Sequence, residues 1–476
     1  MTQPIHIGTR REVLWDQYLA DGERTTAELV LHRPQAREVV MHHDAPWEGD
    51  GCDFHNIVAD DGLYRLYYLG WETMNPEVTS HIPRPIVVCY AESADGLTWV
   101  KPDLGLCEFD GSKSNNIILD EHTAKFDNFS VFVDANPDCP PEERYKGVGL
   151  DGNDHYLWCF TSADGIHFEK AWRMTDQGRF DTLNVALWDR HTGKYFCYVR
   201  DFHGGAPGAD LNERIRDVRW MVSDDFRTWT VPVLLDFGGA DDYPLYTNVV
   251  QPYYRADHMF VGFPSRYVEK RAWSTNFEQM GGAQRRRGIM SVAPRYGLTV
   301  TDCVFMCSRD GKRWARRDEA FMTPGPESEY NWVYGDCYPA VGMIETPTDR
   351  PGGPPELSMY AFDGHWSQRP AQLRRHALRI DGFASYRGPY AGARLVTKPL
   401  VFEGQELAIN FATSAAGHAK VRLRGAGREL ESVELFGDSL DRRVEFPDGD
   451  VGALAGAPVV MEIELKDGDV FSFRFS

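Results

Sequence analysis

The sequence predicts an all-β chain, a five-bladed β-propeller over residues 1–388 followed by a C-terminal β-sandwich over residues 389–476. Three observations predict it. The phrase Ser-x-Asp-Gly-x-x-aromatic occurs three times, as Ser93-Ala94-Asp95-Gly96-Leu97-Thr98-Trp99, Ser162-Ala163-Asp164-Gly165-Ile166-His167-Phe168 and Ser308-Arg309-Asp310-Gly311-Lys312-Arg313-Trp314. Between these copies, short alternating apolar runs are broken by Gly, Pro, Asn and Asp, with little helical periodicity. After Gly388 the alternating runs become longer and more tightly spaced.

The repeated phrase encodes a tight turn. Asp bonds its own downstream backbone, Gly supplies a positive φ, and the aromatic anchors the returning strand. A fourth, degenerate copy, Ser223-Asp224-Asp225-Phe226-Arg227-Thr228-Trp229, puts Phe in place of Gly. A repeat of a few dozen residues implies an array of like units. Aligned on the turns, each unit contains an inner strand (56–59, 130–133, 184–188, 248–253), an aromatic second strand (64–69, 144–149, 194–199, 259–263) and a third strand running into the turn (86–91, 156–161, 218–222, 303–307). A fifth unit, without the turn, spans 338–343, 357–362 and 375–380. Five radial four-stranded sheets make a propeller; a sandwich with long loops is the alternative. Residues 27–32 are expected to add a strand to the last blade and close the ring. The runs 395–402, 406–411, 419–424, 459–465 and 470–475 form the appended sandwich.

Composition narrows the function. Of the 476 residues, 42% are hydrophobic and 13% aromatic, ample for a large core, and the formal net charge is −20. Such acidity argues against a nucleic-acid partner, which needs cationic side chains to displace phosphate counterions. No run reaches the ~18 apolar residues of a membrane span. The first residues carry neither a basic segment nor an apolar one, as a secretory leader would. The nine cysteines include no CxxC pair, and Cys89, Cys159, Cys197 and Cys303 fall inside apolar strands. Reduced thiols, a cytoplasmic location, no metal and no cofactor are expected. A homo-oligomer is left open.

The inner strands of a propeller line its central channel, so residues just ahead of them converge at one mouth. An Asp precedes most of these strands: Asp53 (or Asp50) in blade one, Asp127 in blade two, Asp181 in blade three and Asp336 in blade five. Carboxyls crowded into one funnel repel, which splits their pKa values, and glycoside hydrolysis needs such a split pair. The plain alternative is that these residues tie loops through backbone N–H groups. The candidate catalytic residues are Asp53, Asp181, Asp336 and Glu329. The candidate sugar-binding residues are His55, Asp127, Asn128, Arg200, Arg266, Trp332 and Tyr334. In this reading Trp332 and Tyr334 stack on a sugar ring, and Arg200 and Arg266 bond hydroxyls or hold a carboxylate.

With its Ser-x-Asp-Gly-x-x-Trp turns and appended sandwich, the chain resembles the five-bladed propeller glycoside hydrolases of families 32, 43, 68 and 117. The segment Asp110-Gly111-Ser112-Lys113-Ser114-Asn115-Asn116-Ile117 is similar to one in uncharacterised bacterial members. The resemblance implies a nucleophile or general base at Asp53 and a sugar-positioning role at Asp127 or Asp181. The chain lacks the Trp-Met-Asn-Asp-Pro-Asn-Gly, Arg-Asp-Pro and Glu-Cys segments of the fructan-cleaving family; Arg200-Asp201-Phe202 is only a partial echo of the second. The expectation is a glycosidase acting on a furanose-containing or other short neutral glycan. The alternative is a non-catalytic carbohydrate-binding propeller. A phosphorylase is disfavoured because no concentrated His/Arg cluster is visible in the sequence.

Overall fold

The computed structural model describes residues 3–72, 74–75, 80–81, 84–206 and 209–476. Its strands form five sheets of four or five strands and one sheet of ten. Blade one runs outward through Asn56–Asp60, Leu63–Gly70, Val87–Ser93 and Ile117–Leu119. Blade two comprises Phe129–Val133, Tyr145–Asp151, Tyr156–Ser162 and Glu169–Thr175, and blade three Val185–Asp189, Lys194–His203, Ile215–Ser223 and Val233–Leu234. In blade four, Gln251–Tyr253 pairs with Ala256–Gly262, and the second strand breaks at Phe263-Pro264 before resuming as Ser265–Glu269. Three short helices follow, α1 (Thr275–Gln279), α2 (Ala283–Val292) and α3 (Pro294–Leu298), before Thr299–Ser308 and Ala315–Met322 complete the blade.

Blade five differs from the sequence expectation at both edges: its inner strand is Ile344–Thr346, with only isolated bridges in the expected 338–343, and its closing strand is another. It orders Ile344–Thr346, Glu356–Asp363 and Gln372–Leu378, and its outermost strand is Gln35–His42, not 27–32. The earlier segment, Glu28–Leu31, pairs with Ala384–Gly388 in the ten-stranded sheet, which also takes in Ile5–Gly8 and Glu12–Val13. The first thirty or so residues therefore join the C-terminal sheet, although the sequence grouped them with the propeller. Both segments alternate and only His32-Arg33-Pro34 separates them, so pattern alone does not say which sheet each enters.

The ten-stranded sheet is built on two long antiparallel strands, Leu407–Gly425 and Val459–Phe475. Their pairing is interrupted between Thr413 and His418, where the register shifts. On either side of that interruption one face is buried, and Leu407, Ile409, Phe411, Val421 and Leu423 share a core with Ile463, Leu465 and Phe473.

The recurrent turn locks neighbouring blades together. In each copy the Ser hydroxyl accepts from the Gly N–H (Ser93 from Gly96, 2.8 Å; Ser162 from Gly165, 3.0 Å; Ser308 from Gly311, 2.9 Å). The Asp carboxylate accepts from the two following amides. The Gly carbonyl then accepts from a buried tyrosine on the second strand of the preceding blade. Tyr360 bonds Gly96, Tyr67 bonds Gly165 and Tyr198 bonds Gly311, at 2.7, 2.8 and 2.9 Å. Gly is required at these places twice over. Its φ lies between 71° and 77°, and a Cβ at Gly165 would stand 2.8 Å from the Tyr145 ring and from the Tyr67 hydroxyl. In the degenerate copy Phe226 adopts φ 60°, its carbonyl accepts from Trp172 Nε1 at 3.0 Å, and its ring fills the gap between Phe132 and Tyr195. Tyr198→Phe, which leaves the buried Gly311 carbonyl only its longer bond from Trp314 Nε1 at 3.2 Å, is expected to cost about 0.5–1.5 kcal/mol, read by chemical denaturation.

At the inner ends an asparagine repeats the same task. Asn56 Oδ1 accepts from the Val131 amide of blade two, Asn128 Nδ2 donates to the Phe180 carbonyl leading into blade three, and Asn248 Nδ2 donates to Leu183 O at 3.0 Å. These ties pin the loops that precede the inner strands, and so the aspartates those loops carry.

Candidate active site

A cleft of about 1050 Å³ opens over the propeller and is lined from several blades: Trp71 and Arg84 from blade one, Asp127 from two, Asp181, Arg200, Phe202 and Arg216 from three, Tyr246 and Tyr267 from four, and Arg295 and Tyr334 beyond. Two of the aspartates expected at the channel mouth, Asp127 and Asp181, line it, and a third, Asp53, lies near enough to feel the Asp127 charge. Asp181 is half exposed in the cleft, and its carboxylate is clamped by Arg200, whose Nε donates to Arg179 O at 2.9 Å. Tyr246 donates to the Asp181 carbonyl at 3.0 Å and receives from the Tyr334 hydroxyl at 3.0 Å, so one chain of contacts links blades three and four to the loop before blade five.

Asp127 is surrounded by protein apart from its edge on the cleft. Burial, together with the charge of Asp181, pushes its carboxyl up to about 6, against the opposing pull of Arg200 and Lys125. Asp53 lies deeper, 3% exposed. Burial and then the Asp127 charge hold its carboxyl well above the ordinary carboxylate range. Its Oδ1 has no protein partner among the described residues, and neither has the Tyr338 hydroxyl or His365 Nε2. His365 Nδ1 bonds the Tyr334 carbonyl and therefore carries the proton; burial lowers this imidazole to about 4, so it is neutral and Nε2 is bare. That bare nitrogen stands 3.7 Å from Asp53 Oδ2. Because the imidazole is neutral, the contact is not between opposite charges. Asp53 and Asp127 repel, so they titrate as a pair. Near pH 7 Asp127 is mostly ionised, while burial and that charge favour the protonated form of Asp53.

The remaining candidates lie elsewhere. Asp336 is buried and pushed up to about 7, mainly by burial, but it opens on a second cavity of about 460 Å³ beside Met322, Phe362 and Asp363, and its Oδ2 accepts from the Val333 amide at 2.9 Å. Glu329 is exposed, and its carbonyl receives Arg285. Arg266 forms a two-pronged pair with Asp302 across its own sheet and donates to Asp318 O at 2.8 Å, which occupies its guanidinium structurally. Trp332 packs with Phe277 and Leu298 beneath the helices and bonds Gly325 O at 2.9 Å; of the two proposed stacking rings only Tyr334 reaches the cleft. Asn128 is fully buried in the inter-blade tie. His55 turns into blade one, where its Nε2 lies 2.9 Å from His43 Nε2 and its ring stacks on Tyr68. His43 Nδ1 bonds the Ala371 carbonyl, so His43 Nε2 accepts and His55 donates; both rings are neutral. Asp50, the second choice in blade one, accepts from the Gln368 amide at 2.8 Å and so anchors a loop.

Sequence reading missed Phe202, Arg216, Tyr246, Tyr267 and Arg295. The helical insertion that carries Arg295 has no counterpart in the other blades. The rest sit on strand edges where a single residue leaves no pattern.

No protein-family model and no curated protein sequence matches the chain. Among solved structures it is similar to an N-acetylgalactosamine deacetylase from F. plautii in complex with blood group B trisaccharide (13% identity, 74% of this chain and 96% of that one, TM-score 0.44). It is also similar to a fructofuranosidase from Schwanniomyces occidentalis complexed with fructosylnystose (12% identity, 94% and 99%, TM-score 0.40). A third is the catalytic domain of a Coprinopsis cinerea GH62 α-L-arabinofuranosidase (9% identity, 73% and 97%, TM-score 0.42). At these values the likeness carries no chemistry, which rests on the chain's own residues. Among the described residues no His, Cys, Asp and Glu cluster is arranged to hold a metal, all nine cysteines are free, and no helix is long and apolar enough to cross a membrane.

Proposed function

We propose that the protein is a glycoside hydrolase whose acid/base machinery is the Asp53–Asp127 pair at the propeller mouth. One observation carries the reading: two carboxyls from adjacent blades are both held above the ordinary carboxylate range, Asp53 in part by the charge of Asp127, beside a cleft large enough for a short oligosaccharide. Breaking a glycosidic bond calls for one carboxyl that donates to the leaving oxygen and another that is ionised. Because the two are coupled, the proton belongs to the pair. The blade-one aspartate, read from sequence as nucleophile or base, is here the more buried member and the one whose surroundings favour the acid form. Asp181, fixed by Arg200 and Tyr246, orients the sugar from the opposite wall, with Tyr334 and Tyr246 as its aromatic floor. A furanose-containing or other short glycan fits this space.

Aryl α- and β-arabinofuranosides, fructosides, galactosides and glucuronides test the proposal. Turnover is expected on at least one, with an acid limb near pH 6 as Asp127 takes up its proton and a fall at higher pH as Asp53 loses its own. Asp53→Asn is expected to remove it. Binding without turnover across the panel would instead make the cleft a carbohydrate-recognition site.

A further inference from the structure

Arg216 is a cleft residue whose chemistry the hydrolase reading leaves unused. It lies on the strand Ile215–Ser223, directly across from Phe202, and is 5% exposed. Its guanidinium sits 4.0 Å from the Tyr267 ring centre and 5.3 Å from that of Phe202. Arg200 covers the same Phe202 ring at 4.8 Å, so two guanidinium groups flank one benzene ring. Their situations differ. Arg200 is neutralised by Asp181, whereas Arg216 makes no side-chain hydrogen bond or ion pair with any described residue, and its Nε is buried without a partner.

A buried cation without a counter-charge is costly, and aromatic faces offset only part of the lost hydration. Arginine's planar fork is shaped for the two oxygens of a carboxylate, sulfate or phosphate. The surroundings favour such a group. Arg84, Lys125, Arg179, Arg200, Arg216 and Arg295 line the cleft against four carboxylates, Glu121, Asp127, Asp181 and Asp210, in a chain whose formal net charge is −20. The cationic excess is therefore local, where the remainder of the molecule repels anions.

We propose that Arg216 is an oxyanion-binding residue and that the glycan held in this cleft is acidic, its sugar carboxylate meeting the Arg216 fork while the ring rests beside Tyr246 and Tyr267. This replaces the neutral sugar expected from the sequence. The assignment builds on the glycoside reading of the cleft, but its test measures binding, so failure of hydrolysis and failure of the acidic subsite are told apart.

The full chain is titrated calorimetrically with the methyl glycosides of glucuronic and galacturonic acid, with the methyl ester of each, and with inorganic phosphate. Esterification removes the charge and keeps the ring. At least one acid is expected to bind about tenfold or more tightly than its ester, in line with a charge-assisted bidentate contact, and added salt narrows the gap. In Arg216→Met the acid-to-ester ratio falls to about one. Arg216→Lys keeps part of it and serves if the Met variant does not fold, as judged by its melting curve. Equal binding of acid and ester by the native chain would overturn the proposal, and so would a ratio that survives Arg216→Met. Arg216-dependent phosphate binding without discrimination between acid and ester would also overturn it, by showing that the oxyanion is free rather than sugar-borne.

Discussion

Asp127→Asn is expected to abolish turnover and to make the protein more stable. The activity loss follows from removing the ionised member of the coupled pair and should reach about 10²–10⁴-fold, the usual scale for a positioned acid or base. The stability gain follows from the raised carboxyl, which ionises at about 6 in the folded chain against 3.8 as a free side chain. At pH 7 the folded state must keep a charge it disfavours, at a cost of about 1–3 kcal/mol; the lower figure allows for the edge facing the cleft. Asparagine removes that cost. Because the folded pKa is the higher one, the carboxyl is neutral in both states below about pH 4 and the gain disappears there. It grows between pH 4 and 6 and persists above. Melting curves of the two proteins at pH 4 and pH 7 check this: coincident at pH 4 and about 2–4 °C apart at pH 7. An Asn variant that melts lower at pH 7 would show that Asp127 is a structural tie and would remove the basis for its catalytic role.

Asp381→Ala is expected to be the most damaging single substitution outside the cleft. Asp381 is fully buried where blade four, the N-terminal segment and the ten-stranded sheet meet. Its carboxylate accepts from the hydroxyls of Tyr253 and Ser472, each at 2.6 Å, and from Asn410 Nδ2 at 3.3 Å, with Arg255 at 3.1 Å and Arg11 at 3.6 Å. Its carbonyl receives Trp15 Nε1 at 2.8 Å. Alanine would leave Arg11 only Asp441 and Arg255 only the more distant Glu345 as counter-charges, and would strand several polar groups in the interior, at a cost of about 3–5 kcal/mol. It would also place a β-carbon residue without a local hydrogen-bonding side chain at φ 61°. Asp381→Asn keeps the hydrogen-bonding shape and tolerates that φ, so it should lose less than half as much. Urea unfolding of both variants tests this, and an Ala variant with an unchanged midpoint would mean that propeller and sheet do not depend on the contact.

The parts of the fold that were legible in the sequence are those specified by local chemistry. Ser-x-Asp-Gly marks blades one, two and four because the turn needs a side-chain acceptor, a positive φ and an aromatic anchor within seven residues. Blade three could be read through its Phe226 substitution because Ser223 and Asp225 keep the same bonds. The ring-closing strand was not legible, since 27–32 and 35–42 alternate alike and their sheets are chosen by partners more than three hundred residues away. The site divides in the same way. Asp53, Asp127 and Asp181 could be grouped in advance because each precedes an inner strand, and position in a repeat predicts position in space. Asp336 obeys the same rule in sequence yet faces another cavity: the turn Val333–Asp336 folds back on itself, with Gly335 at φ 95° packed against His365. Arg216 was invisible because what distinguishes it, a missing partner, is a property of its surroundings.

The interleaving of the two ends has a consequence for synthesis on the ribosome. Gln35–His42 emerges among the first segments, yet its hydrogen-bonding neighbour, Gln372–Leu378, is made more than three hundred residues later, and Ile5–Gly8 and Glu28–Leu31 wait still longer or as long for Leu400–Phe402 and Ala384–Gly388. Blades one to four can condense as they appear, but the nascent chain must keep an unsatisfied N-terminal ribbon from finding wrong edges until translation is nearly finished. Co-expressing the chain as two pieces cut at residue 388 would divide strands that belong to one sheet, so neither piece is a self-sufficient module.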